Sequence, residues 1–174
     1  SEDEAGEILP LVNEYDRVVG RCRRDEVHRL GLRHRASHVL VFDQKNRLFL
    51  QQRGLHKESS PGLWDSSVAG HVDDGESYDQ CCLREIEEEI GIHVTEVPEQ
   101  LFKLEACAAT DMEFSCIYRL VTEESLNPDY TEMEAGKWYE VTEVDRNLRE
   151  RPEEFAETFR LIWARYRGWG APIA

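Results

Sequence analysis

The sequence predicts an α/β fold, and three observations carry that expectation. Residues Ala36 to Asp43 (ASHVLVFD) and Arg47 to Gln52 (RLFLQQ) are rich in β-branched, aliphatic and aromatic side chains and flank the short link Gln44-Lys45-Asn46, which is a strand hairpin. Glu113 to Thr122 (EFSCIYRLVT) sets Phe114, Cys116, Tyr118 and Leu120 against their neighbours at period two, which is a further strand. Two other stretches, one following Ser77 and one from Pro152 to Arg167 (PEEFAETFRLIWARYR), repeat their apolar residues at helical spacing.

Composition sets the limits. The length of 174 residues fits one domain, with residues 1–7 as an acidic tail expected to be mobile and 8–174 as the folded unit. An apolar content of 40% is ordinary for a globular protein. The formal net charge of −15 argues against a nucleic-acid backbone or an anionic membrane surface as partner, because both would be repelled. An anionic small molecule meets the same field, so it needs bound metal and local basic residues. Cys22, Cys81, Cys82, Cys107 and Cys116 are odd in number and contain no CxxC pair, which suggests neither a disulfide framework nor a zinc site. No apolar run approaches about 18 residues and the N-terminus is acidic, so no transmembrane or secretory segment is expected and the cytoplasm is the default location. Oligomeric state is open, a homodimer included.

Taken in order, Ile8 to Val19 (ILPLVNEYDRVV) reads as strand, turn and returning strand around Asn13-Glu14-Tyr15-Asp16. The segment 21–35 is the most basic of the chain, its arginines either balancing local acids or facing phosphate, and His28, His34 and His38 punctuate it and the strand that follows. Arg53 to Asp65 (RGLHKESSPGLWD) is a loop by composition, and its thirteen residues are long for an idle connection. Ser66 to Ala69 re-enters a strand that delivers Gly70, where a glycine lets loop and helix approach closely. His93-Val94 and Leu101 to Ala109 read as strands, 123–137 as an acidic irregular stretch turning at Asn127-Pro128-Asp129, and Trp138 to Val141 as a last short strand. The final helix, Pro152 to Arg167, carries Phe155, Phe159, Ile162, Trp163 and Tyr166 as its apolar stripe, with acids early and arginines late to suit its dipole.

The chemistry concentrates in Gly70 to Ile92 (GHVDDGESYDQCCLREIEEEIGI). At about 100° per residue, Glu85, Glu88 and Glu89 share one face while Cys82, Leu83, Ile86 and Ile90 form the packing face. Ser77 followed by Gln80 is a capping-box pattern and Gly91 a helix stop. Carboxylates three and four residues apart repel one another. Something positive should therefore sit there. Clustered carboxylate oxygens suit Mg2+, with Arg84 placed to fix one of them by a bidentate pair, although a solvated acidic face would have the same pattern.

The spacing Gly70, five residues, Glu76, seven residues, Arg84-Glu85-Ile86, one residue, Glu88-Glu89, one residue, Gly91-Ile92 resembles the signature of the Nudix hydrolases at every position. That resemblance implies an α/β/α sandwich with a mixed β-sheet between helices. It also implies a pyrophosphohydrolase acting on a small diphosphate substrate, typically a nucleoside diphosphate derivative, with Mg2+ or Mn2+ held by Glu85, Glu88 and Glu89. Glu88 or Glu89 would accept a proton, a glutamate from a distant loop such as Glu132 or Glu134 could do so instead, and Arg84 would orient the carboxylates.

Across residues 8–145 the chain also resembles isopentenyl-diphosphate isomerase and isomerase-like bacterial Nudix hydrolases, through Arg53, Lys57, Pro61-Gly62-Leu63-Trp64 and Ser67-Val68-Ala69-Gly70-His71. By that resemblance Arg53 and Lys57 grip the diphosphate, and with Gly70 they make up the expected substrate-binding set. Ala69 departs from it, since the isomerase has there a cysteine that moves protons at carbon. His34 and His71 match two histidines of the isomerase's metal shell, His28 matches the third loosely, and Asp111 and Glu113 fall near its acids, so a second metal on His34, His71 and Glu113 is an open question. The expected activity is hydrolysis; isomerisation and a non-catalytic diphosphate-binding module are the alternatives. The leaving group is not determined, with Trp64, Tyr78 and Trp138 either stacking a base or packing as core aromatics.

Overall fold

Two strands that share a turn and then part set the architecture. The computed structural model describes residues 4–170. In it β3 (His34–Phe42) and β4 (Arg47–Arg53) are joined at a turn where Asn46 is left-handed and the Asp43 carboxylate accepts from the Lys45 and Arg47 amides. They pair antiparallel at Val41–Phe49 and Phe42–Leu48 and then separate. A corner fills the gap: β5 (Trp64–Asp65) pairs with β4, and β6 (Val68–His71) pairs with β3 from Ala36 to Val39. Ser67, fully buried between them, holds the split, because its hydroxyl accepts from Val41 N at 2.8 Å and donates to the Phe49 carbonyl.

The rest of the sheet grows from this pair. β8 (Glu113–Val121) runs parallel to β3 along its whole length, β7 (Glu99–Leu104) lies antiparallel on β8, and β9 (Met133–Glu140) lies antiparallel on β4, giving a mixed seven-stranded sheet. Period two then assigns the faces. Val39, Val41 and Phe49 pack with Cys82, Ile86 and Ile90 of α2 (Tyr78–Ile90). Leu40, Phe42, Leu48 and Leu50 pack with Val144 and Leu148 of α3 (Val141–Glu150) and with Phe159, Ile162 and Trp163 of α4 (Glu157–Arg167). This is the expected sandwich. A separate hairpin, β1 (Ile8–Val12) and β2 (Val18–Arg23), is tied to the sheet by Asp16, whose carboxylate accepts from Arg35, Tyr78 and Lys103. Among the described residues no helix is long and apolar enough to cross a membrane.

Several expected boundaries move, each because tertiary contacts outweigh local pattern. Leu83 is half-buried and drops out of the packing face, and Cys81 is buried on the other side of the helix, its thiol against the Gly70 and His71 carbonyls. His93 and Val94 lie in irregular chain, while β7 begins at Glu99, ends at Leu104 and gives way to a 3-10 turn at Ala108–Thr110. β9 starts at Met133 rather than Trp138, because it follows β4 past a bulge to Arg53. The basic segment contains an unexpected helix, α1 (Arg24–Leu30), closed by left-handed Gly31. The highly charged α3 was equally unexpected; its buried Asp145 is satisfied by Trp163 Nε1 at 2.8 Å and by Arg167. The last helix starts at Glu157, since Phe155 and Ala156 are extended and Ala156 N donates to Trp64 O. In the N-terminal tail Glu4–Gly6 form a 3-10 turn, and residues 1–3 lie outside the described residues.

Ser67→Ala should leave Val41 N without its buried acceptor and cost about 1–3 kcal/mol in urea denaturation. A loss below about 0.5 kcal/mol, the range of an indifferent surface change, would mean the split of the sheet is held by something else.

Candidate active site

The corner that separates β3 from β4 delivers Ala69, Gly70 and His71 to one end of the molecule, and α2 starts seven residues later with its capping box formed. A Cβ on Gly70 would lie 2.2 Å from Glu85 Cδ, so the missing side chain is what admits the Glu85 carboxylate. Arg84 meets it there. Its guanidinium donates through Nε and one terminal nitrogen to both oxygens of Glu76 at 2.7 and 2.9 Å, and through the other to Glu85 at 2.5 Å and Glu88 at 3.2 Å. It also donates to the His71 carbonyl at 3.1 Å. Burial alone would raise the pKa of Glu76, but this fork lowers it.

Glu89 sits one layer deeper. Its Oε1 accepts from Gln51 Nε2 at 2.8 Å and from Ala69 N at 3.4 Å, while Oε2 is buried with no hydrogen-bond partner among the described residues. Burial and then the charge of Glu85 push Glu89 well above the usual carboxylate range, and the same two causes raise Glu88. A site that makes its own carboxylates reluctant to ionise is a site suited to a cation.

A second cluster lies beside the first. α1 brings His28, β3 brings His34 and β6 brings His71, with ring centroids 5.1 to 5.3 Å apart and one nitrogen of each within 4.8 Å of the others. Parallel pairing sets Glu113 directly against His34, and Glu113 Oε1 is 3.2 Å from His71 Nε2 and 3.5 Å from His34 Nε2. The outward nitrogens are fixed, His28 Nδ1 beside Asp111 at 3.3 Å and His34 Nδ1 on the Leu32 carbonyl at 2.9 Å. The Nε2 atoms of His28 and His34 are buried without hydrogen-bond partners among the described residues. Asp111 and Met112 are both left-handed, a strained pair at the entry to β8 that sets Asp111 against His28. Burial takes the His71 pKa down to about 4, whereas for His34 it is outweighed by Glu113, which raises it. Burial would raise Glu113 as well, but its two histidine partners hold it far below the usual range.

Both clusters open onto one cavity of about 510 Å³. Its lining takes in Glu85, Glu88, Glu89, Arg84 and Gly70, and the loop residues Arg53 and Lys57 from the other side. Arg53 is anchored by Ser59 O at 2.8 Å and approaches Asp65 at 3.5 Å, and Lys57 donates to Glu132 at 2.8 Å. Glu132 lines the cavity, while Glu134 accepts from Leu55 N and is not among the lining residues. Trp64, Tyr78 and Trp138 lie outside the lining as well; Trp64 packs edge-on to Tyr139, Trp138 edge-on to Phe49, and the Tyr78 hydroxyl is bound to Asp16. Of the basic segment, Arg24 reaches the lining, while Arg21, Arg23, Arg29 and Arg35 pair with acids close by. Sequence reasoning missed Gln51, whose one trace was a polar residue following Leu48-Phe49-Leu50 in an apolar strand.

Comparison with known proteins gives a consistent picture. A family model described as the NUDIX domain matches residues 32–159. An uncharacterized Nudix hydrolase of Streptomyces coelicolor is 37% identical over 95% of this chain and 91% of its own. A Burkholderia multivorans protein named isopentenyl-diphosphate Delta-isomerase is 32% identical over 90% of each. Among solved structures, a Deinococcus radiodurans protein superposes with a TM-score of 0.79 at 24% identity, over 91% of this chain and 98% of that one. The NUDIX domain of Shewanella oneidensis NrtR, solved with ADP ribose, gives 0.59 at 18% identity over 79% of this chain and 94% of that one. At these identities the two structures speak for the fold.

Gly70→Ala should force Glu85 out of its place and cost about 1–3 kcal/mol of stability, measured by thermal and urea denaturation. A crystal structure of that variant with the Glu85 carboxylate unmoved would contradict this account of the glycine.

Proposed function

This chain belongs to the Nudix family, and we propose that it is a Mg2+- or Mn2+-dependent hydrolase cleaving the pyrophosphate bond of a nucleoside diphosphate derivative or a related organic diphosphate. The observation that carries the reading is the convergence of Glu85, Glu88 and Glu89, whose buried Oε2 has no hydrogen-bond partner among the described residues, on one cavity that Arg53 and Lys57 also line. Oxygen donors of this kind fit a hard divalent cation, with Glu85, Glu88 and Glu89 as the residues that would hold it. When bound, such an ion supplies positive charge against the phosphates and makes water a stronger acid.

The chain's own residues do the rest. Arg84 spans Glu76, Glu85 and Glu88, so it holds the acidic face in one arrangement and offsets its charge. Glu88 or Glu89 accepts the proton of the attacking water, with both kept above the ordinary carboxylate pKa and so better bases when ionised. Arg53 and Lys57 bind the diphosphate by charge, in a molecule whose net charge would otherwise repel it. The Gly70 backbone lies against Glu85, where substrate or cation comes within its reach. Five unpaired cysteines support a reducing cytoplasm as the place of action.

The histidine cluster favours a second cation in the same enzyme, on His28, His34, His71 and Glu113. The Nε2 atoms of His28 and His34, without hydrogen-bond partners among the described residues, and outward nitrogens fixed by Asp111 and Leu32 are what metal-ligating imidazoles require. That cluster also keeps isomerisation as the second reading. Ala69 argues against it: it pairs with His38 on β3, and its methyl group cannot carry a proton to or from carbon.

With Mg2+ saturating, Glu89→Gln should lower pyrophosphate hydrolysis by about 10²–10⁴-fold with an unchanged circular dichroism spectrum. Retained turnover in that variant would refute the roles given to the glutamates. Incubation of the unmodified protein with isopentenyl diphosphate should yield no dimethylallyl isomer, and its formation would replace the hydrolase reading with the isomerase one.

A further inference from the structure

Gln51 stands where the strand pattern calls for an apolar residue. Leu48 and Leu50 of β4 face α3 and α4 while Phe49 faces α2, so alternation sends Gln51 towards α2 with Phe49. It is 6% exposed, and a carboxamide so deeply buried is costly unless its hydrogen bonds are made. They are made in one direction. Nε2 donates to Glu89 Oε1 at 2.8 Å and to Ser67 O at 3.3 Å, tying the glutamate to the residue that pins the split between β3 and β4.

The consequence falls on Glu89. The last torsion of a glutamate side chain is broad and roughly two-fold, so nothing within the residue selects which oxygen points where. Here the two oxygens are unlike: Oε1 accepts from Gln51 and Ala69 N, and Oε2 is buried with no partner among the described residues. We propose that Gln51 is a positioning residue for the reaction, fixing the rotation of the Glu89 carboxylate so that Oε1 is committed to the protein and Oε2 is presented to cation and water. This rests on the role given to Glu89 above. It differs from a purely structural use of Gln51, which would make the same bonds and influence stability alone.

Gln51→Leu keeps the volume and removes both donors, and Gln51→Asn keeps the amide but is one methylene too short to reach Glu89. Both should lower kcat about 10–100-fold, as is usual when a partner behind a ligand is lost, with KM changed by about twofold or less. Mn2+ affinity, titrated by electron paramagnetic resonance without substrate, should fall by a similar factor of about 10–100. In the Glu89→Gln background Gln51→Leu should cost kcat about twofold or less, because residues acting through one another are not additive. Unchanged kcat and Mn2+ affinity in either folded variant would overturn the proposal, as would full additivity with Glu89→Gln. A parent protein that hydrolyses no pyrophosphate would sink the hydrolase reading instead, and the Mn2+ titration would still decide the role of Gln51.

Discussion

The structure depends on keeping several carboxylates together without letting them drive each other apart. Glu76, Glu85 and Glu88 all meet the guanidinium of Arg84, which also reaches back to the His71 carbonyl. One side chain therefore ties the loop before α2 to the face of α2 and to the end of β6. Arginine suits this task better than lysine, because its planar fork serves two oxygens of Glu76 while its remaining nitrogen serves two more acids. The cost of the arrangement is visible at Glu88 and Glu89, which burial and then the charge of Glu85 hold above the usual carboxylate range, at Glu88 in spite of Arg84. A cation would relieve that repulsion, which is why the acidic ridge reads as a binding surface.

What brings the ridge to the rest of the site is the opening of the sheet. If β3 and β4 stayed paired to their ends, β6 would have no place between them. Because they part, β6 lies against β3 with Ala69 and Gly70 on successive sides of the strand, and His71 meets His34 across the same pair of strands. Gly70 looks to Glu85 and His71 to the histidine cluster. Alternation along one four-residue strand thus serves both the carboxylate cluster and the histidine cluster, and the split that makes room for it hangs on the hydroxyl of Ser67.

In a chain with a net charge of −15, the cavity gathers a local set of cations. Arg24, Arg53, Lys57 and Arg84 all reach its lining, each beside an acid that holds it in position. Screening by salt leaves the distant surface charges with little effect beyond about 10 Å, so these four weigh more at the site than the total does.

By itself the sequence determined the parts whose causes are local. The capping box at Ser77 and Gln80, the stop at Gly91, the β3–β4 hairpin and the spacing that gathers Glu85, Glu88 and Glu89 on one face all follow from neighbours a few residues apart. Family resemblance extended this to Arg53, Lys57, His34 and His71. Tertiary structure alone decided the rest, because its causes lie far along the chain. α3 survives its charge because Trp163 and Arg167 satisfy Asp145, and the start of α4 is cut back because Ala156 pairs with Trp64. His28 joins His34 and His71 only once α1 is folded beside the β1–β2 hairpin, and Gln51 gains its hydrogen-bond partner only when Glu89, thirty-eight positions later, is turned onto it. A hydrogen bond between such distant residues leaves no periodic trace in a sequence, since nothing in either neighbourhood fixes the spacing between them.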